Sequence, residues 1–377
     1  MLIKGGLVLD FDKGCFTTED IRVCGSKITE MAPSLAPQAG EDVLDASGSY
    51  ITPGLIDAHS HLLISEEGMG SIGDDCCDYS DALTPHLEVL DGMYPFDRAV
   101  ERSARAGVTS VLVCPGSDGV IGGVCSVAKL KGAVADEMIV LRHAAMKGAL
   151  GENPKTAKHG FASRMGVAYT LRKCLEDAKE YQYDRAQAQK NGSHFRKDPG
   201  MENMALVLEK KMPLHLHVHR SDDICTAIRI GKEYDLDVVL IHCTDGIAVA
   251  DYIAKSGYPA IVGPSMGCAS KNEVWAKSFE TAGVLSRAGV KVCLTADHDV
   301  TPLYYLPTYA EMAARYGMDQ VEALKAVTLN PAQVLRIDDR KGSLQVGKDA
   351  DLVLWNAHPF DVTARARHVF IEGEPIC

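Results

Sequence analysis

Ile51-Thr-Pro-Gly-Leu-Ile-Asp-Ala-His59-Ser-His61 is an apolar run that ends in two histidines. Leu55 to Ala58 has the composition of a buried strand, so the histidines stand at its carboxyl end. Positions i and i+2 of a strand point the same way, and two imidazoles on one side can share a metal ion. The pattern repeats downstream. Met138-Ile-Val-Leu141 runs into His143 and Lys147. Pro213-Leu-His215-Leu-His217-Val-His219 carries three histidines of one parity. Val238-Val-Leu-Ile-His242 ends in a fourth, and Val290-Lys-Val-Cys-Leu-Thr295 leads to Asp297 and His298.

Three more strands, Val108 to Cys114, a short one near Val124 to Val127, and Pro259 to Val262, bring the number to eight. Helices are predicted over Pro95–Ala106, Arg164–Asn191, Ser221–Tyr234, Ile247–Ser256 and Ser278–Arg287, with Ser221 or Asp222 capping the third. Alternating strands and helices predict a parallel sheet, and eight units between Pro53 and Gly342 match a (β/α)8 TIM barrel. In that barrel all strand ends converge on one catalytic face. An open doubly wound sheet is the rival, but no Gly-x-Gly-x-x-Gly opens a helix after the first strand. Both ends of the chain read instead as short strands: Leu2–Leu9, Ile21–Cys24 and Lys27–Glu30 at one, Asp351–Trp355 and His368–Ile371 at the other. The expected fold is therefore α/β, a barrel over residues 53–342 with a small β-sandwich domain built from residues 1–52 plus 343–377.

Of 377 residues, 51 are acidic and 39 are Lys or Arg, a net charge of −12 that opposes nucleic-acid or anionic-membrane partners. No apolar stretch reaches the ~18 residues of a membrane span, and Met1 to Asp10 lacks a signal-peptide core. The twelve cysteines are scattered, with no Cys-x-x-Cys. A cytoplasmic protein with reduced thiols and a small-molecule substrate is expected, and a homo-oligomer is compatible.

The string Pro53-Gly-Leu-Ile-Asp-Ala-His-Ser-His61 resembles the signature of the metal-dependent amidohydrolase superfamily. With Ala326-Val-Thr-Leu-Asn-Pro-Ala332 and Gly342-Ser-Leu-Gln-Val-Gly-Lys-Asp-Ala-Asp-Leu-Val-Leu-Trp355, the resemblance spans nearly the whole chain. It is nearest to the branch holding imidazolonepropionases and metal-dependent prolidases. The resemblance implies a ligand set. Lys147 stands where many members carry a lysine that CO2 carboxylates and that then bridges two metals. An unprotonated amine is required, which burial and neighbouring cations favour. The single fifth-strand ligand matches His217, with His219 as its alternative. His242 matches the sixth-strand ligand, and Asp297 the aspartate that binds one ion and accepts a proton.

The implied site is binuclear: His59, His61 and Asp297 on one divalent ion, His217 and His242 on the other, carboxylated Lys147 between. Zinc suits these donors, with manganese, cobalt or iron as alternatives. The implied reaction is hydrolysis of the C–N bond of a small cyclic amide or dipeptide-like substrate. Candidate substrate contacts are His86, Arg164, Arg220, His219 and His298; Arg164 or Arg220 would pair with a carboxylate, an ordinary salt bridge being the plainer role for either. A mononuclear deaminase would need glutamate three residues after the strand-five histidine, where this chain has Arg220 or Asp222. A non-catalytic assembly protein would have lost ligands, and none is missing.

Overall fold

The computed structural model describes residues 1–155 and 159–376; Cys377, within the predicted terminal domain, lies outside them. Eight strands form one sheet in sequence order: Leu55–Ser60, Val108–Val113, Ile121–Lys129, Ile139–Ala149, Leu214–Val218, Val238–His242, Ala260–Val262 and Val292–Leu294. The first two pair in parallel, as do all neighbours from the fourth onward. The third departs from the expected all-parallel sheet and runs antiparallel to both its neighbours. The reason is chain length. Only residues 114–120 and 130–138 flank this strand, and a parallel crossover needs a dozen or more.

The sheet is nearly closed. No strand ladder joins the last strand to the first; the backbone of residues 326–327 fills the seam. Leu294 N–H donates to Ala326 O at 2.9 Å and Ile56 N–H to Val327 O at 2.8 Å. Higher in the seam, the Asp57 carboxylate accepts Ala296 N–H at 2.9 Å and the Thr295 hydroxyl at 3.2 Å. Side chains alternate between two apolar clusters. Ile56, Leu112, Val127, Val239, Ile241, Ile261 and Cys293 pack together with Leu335 and Ile337. Leu214, Leu216, Val218, Leu240 and Val262 belong to a separate cluster with helix residues such as Leu171, Ile224 and Leu285. Burying this apolar surface is the main stabilising term.

Helix Arg164–Asn191 has the predicted bounds, with Ser163 accepting Gly166 N–H at its start and Gly192 at φ 64° ending it. Helix Ser221–Glu233 is not capped by Ser221 or Asp222. Its N-cap is Arg220, and the Asp245 carboxylate accepts Ser221 N–H at 3.1 Å.

Strands from both ends of the chain make the second sheet. Tyr50–Pro53 pairs antiparallel with Leu352–Trp355 and in parallel with Leu2–Asp10. All eight strands belong to one hydrogen-bonded sheet rather than the two of the expected sandwich. Leu2–Asp10 makes this possible: Leu2 to Lys4 pair with Val43–Asp45, Leu7 and Val8 with Tyr50 and Ile51, and a register break between Ile3 and Gly6 lets the strand serve both. Gly54 links this sheet to the barrel, and a Cβ there would stand 2.2 Å from Thr109 Oγ1. Among the described residues no helix is long and apolar enough to cross a membrane, and the eleven described cysteines are free.

Candidate metal centre

Two groups of potential ligands meet at one cavity of about 230 Å3, lined by every member but His59, at the carboxyl ends of the barrel strands. His59 and His61 come from the first strand and Asp297 from the segment after the eighth. Asp297 Oδ1 lies 3.2 Å from His59 Nε2 and 3.4 Å from His61 Nε2. Donor atoms bound to one ion at ~2.0–2.2 Å stand about 3–3.5 Å apart, so these three have the spacing of a shared cation. Asp297 Oδ1 is buried and accepts no hydrogen bond of good geometry, which is the state expected of a carboxylate oxygen kept for a metal. His217, His219 and His242 form the second group, each offering a ring nitrogen within 4.8 Å of the others.

Hydrogen bonds select which nitrogen each ring leaves free. His61 Nδ1 lies 2.7 Å from Cys114 O, and His242 Nδ1 lies 2.7 Å from Gly263 O. A backbone carbonyl can only accept, so both rings are protonated at Nδ1 and present a bare Nε2. His219 Nδ1 meets the Thr244 hydroxyl at 2.7 Å. Local backbone strain serves the site too. His242 and Asp297 have φ of 75° and 54°, uncommon for non-glycine residues. Val239 and Ile241 pack in one cluster and Leu240 in the other, so strict alternation would turn His242 away from Ile241's side. The left-handed backbone breaks that alternation, and His242 lines the cavity.

Burial disfavours the charged form of the second group. It pushes His242 down to about 3, and burial together with the neighbouring imidazoles of His242 and His219 pushes His217 well below its usual value. Neutral imidazole is the metal-binding form. Burial alone would raise Asp297, but His242, His59 and His61 outweigh it and hold the carboxyl well below its ordinary range. Asp57 is different: burial raises it to about 7, and it pins the seam between strands. Lys147 is 1 % exposed on the fourth strand, in register with His215 and Gly123. Its amine donates to Gly116 O at 3.2 Å, and burial lowers its pKa.

The structure gathers His59, His61, His217, His219, His242 and Asp297 into this centre. Four expected substrate contacts do not line the cavity. His86 is exposed and does not line the cavity. Arg164 pairs with Asp223 at 2.9 Å and Arg220 with Asp222 at 3.0 Å; helix Ser221–Glu233 begins beside both arginines and neutralises them, and neither lines the cavity. His298 is buried behind it, its Nδ1 accepting Leu303 N–H at 3.3 Å. His215 is buried one step deeper, without a hydrogen bond on either nitrogen. Residues not foreseen also lie at the site. Lys271 and Lys277 line the cavity, and Glu273 lies against His217. They follow the seventh strand, which ends in Gly263-Pro264 and so showed no polar residue at its tip.

The chain matches the model of the amidohydrolase family over residues 50–376. It belongs to that family. Amidohydrolase tasK of Hapsidospora irregularis is 26% identical over 96% of the chain, which spans 39% of that relative's length. The imidazolonepropionase of Mesorhizobium japonicum is 24% identical over 92% of the chain and 87% of its own. Among solved structures, an amidohydrolase from Thermotoga maritima MSB8 superposes with a TM-score of 0.96 at 37% identity, covering 100% of this chain and 99% of that one. A prolidase complexed with n-methylphosphonate-l-proline shares the fold at TM-score 0.59 and 17% identity, covering 99% and 98%. Other relatives are named dihydroorotase.

Proposed function

We propose that this chain is a metal-dependent hydrolase of a small amide, cyclic or dipeptide-like, that works with two divalent ions. The observation that carries the reading is the pair of ligand groups facing one cavity, His59–His61–Asp297 and the histidines of strands five and six. His59, His61 and Asp297 would hold one ion and His217 and His242 the other. Lys147, buried and with its amine biased toward the neutral form, would be carboxylated and join the two. Zinc suits the donors, and manganese, cobalt or iron would also bind. When bound, such ions lower the pKa of a water and polarise the scissile carbonyl.

The remaining work falls to the chain's own groups. With Oδ1 turned to the two histidines, Asp297 has Oδ2 to take a proton from the attacking water and return it to the leaving nitrogen. Lys277 is half-buried in the cavity wall and has no carboxylate within 4.0 Å among the described residues. Its one acceptor is Cys268 O at 3.5 Å. An ammonium so placed is suited to a substrate carboxylate, the role expected of Arg164 or Arg220. Lys271 is already bound to Glu273 and Asn153. Ser117 and Asn153 add polar donors to the same wall.

The test is a panel of N-acyl amino acids, dipeptides, hydantoins and imidazolones, assayed before chelation, after chelation and after zinc is restored. The reading expects cleavage of at least one class, lost on chelation and recovered with metal. Ammonia released from amino-heterocycles, with no amide cleaved, would favour a deaminase instead.

A further inference from the structure

Glu273 is a carboxylate without an assigned task, and its side chain has no solvent exposure. Burying an anion is costly unless it is closely paired. Its two oxygens are used differently. Oε2 accepts Glu152 N–H at 2.9 Å, while Glu273 N–H donates to Glu152 Oε2 at 3.2 Å. This reciprocal pair ties the loop after strand seven to the loop after strand four. Gly151 makes room for it: its φ is 86°, and a Cβ there would stand 2.8 Å from Glu273 Oε2. Oε1 is left to face the metal centre. It receives Lys271 Nζ at 2.7 Å and stands 3.4 Å from His217 Nε2, in line for that ring's N–H.

The contrast with the other ligands matters. His61 and His242 bond through Nδ1 to carbonyls and leave Nε2 free. His217 bonds through Nε2 to an anion, so its free nitrogen is Nδ1. We infer that Glu273 is a positioning residue for the second metal ion: it accepts the Nε2–H of His217 and thereby fixes the tautomer and ring orientation in which Nδ1 is the ligand atom. A carboxylate behind a ligating histidine also raises the ring's basicity, and losing one typically costs 10–100-fold in metal affinity. Lys271 pairs with Glu273 at 2.7 Å and offsets its charge in the buried site. The inference rests on the two-ion reading, and it makes the loop after strand seven part of the metal centre.

The test is metal affinity at each site, by competition with a chelator, for wild type, Glu273→Gln and Glu273→Ala, with the thermal midpoint of each apo protein as a fold control. Glu273→Ala is expected to weaken the second ion about 10–100-fold and leave the first within about twofold. Glu273→Gln keeps an acceptor but not the charge and should fall between. Two ions held by Glu273→Ala as tightly as by wild type would overturn the inference alone. So would equal weakening of both ions, or a lowered apo midpoint with metal affinity intact, since each marks a merely structural residue. A wild type that binds a single ion would overturn the two-ion reading and this inference with it.

Discussion

Two regions of the molecule bury charge, and they do so in opposite ways. Where the terminal sheet meets the barrel, Lys341, Asp349 and Asp351 are 2 %, 3 % and 5 % exposed. Lys341 contacts both aspartates, Lys27 reaches Asp349 at 2.7 Å, and Arg340 reaches it at 2.9 Å. Every charge there has an opposite within reach. In the metal cavity, by contrast, donors face donors. Three imidazoles crowd together, and among the described residues Asp297 Oδ1 has no good hydrogen bond and Lys277 has no carboxylate within 4.0 Å. The first arrangement pairs opposite charges within the chain, whereas the second brings like donors together around a cavity. Burial of polar groups therefore does not mark a site; convergence of groups that cannot satisfy each other does.

Breaking each region should separate their roles. Asp297→Asn should lower kcat/KM by ~10³-fold or more, since it removes the proton carrier and a ligand together, while the apo protein keeps its thermal midpoint. Steady-state kinetics beside calorimetry checks this, and full activity in the variant would refute the assignment. Asp349→Asn should do the reverse, costing about 1–3 kcal/mol in urea unfolding because Lys341 loses one of its two buried carboxylates, with kcat of the folded fraction unchanged.

Acid should expose the same contrast. Burial would raise Asp349, but Lys27, Lys341 and Arg340 outweigh it and hold the carboxyl below its usual value. A depressed folded pKa contributes stability that is full above the ordinary value of ~3.9 and is lost as pH falls through the folded one. Urea midpoints of Asp349→Asn should therefore fall less steeply below about pH 4 than those of wild type. Replacing Lys147 with alanine should halve the metal content, read by elemental analysis, and two ions retained would remove the proposed bridge. The smallest effect is expected of Lys277→Met: roughly tenfold in KM for a carboxylate-bearing amide, with kcat and neutral amides little changed.

Most of the residues that converge on the candidate centre were legible in the sequence because barrel geometry turns a local pattern into a spatial one. An apolar strand ending in histidine or aspartate, repeated along the chain, places those residues on one rim. His59, His61, His217, His242 and Asp297 all follow that rule. Lys271, Glu273 and Lys277 escape it, since they lie well past the tip of their strand and reach the cavity through a loop whose path depends on Glu152 and Asn153. His86 lies off the cavity for the same reason in reverse: a loop position after the first strand does not fix which way the loop folds. The arginines lie off the cavity, paired with Asp222 and Asp223 at the start of the next helix. The reversed third strand could have been read from loop length alone, as residues 114–120 are too few for a crossover.

The central claim is that this cavity holds two divalent ions that the reaction needs. Elemental analysis of the purified chain, titrated with chelator while amide hydrolysis is followed, tests it most directly. Two ions per chain, with activity falling as they leave and returning as they are restored, is the predicted result. Hydrolysis that persists after both ions are removed would contradict the account.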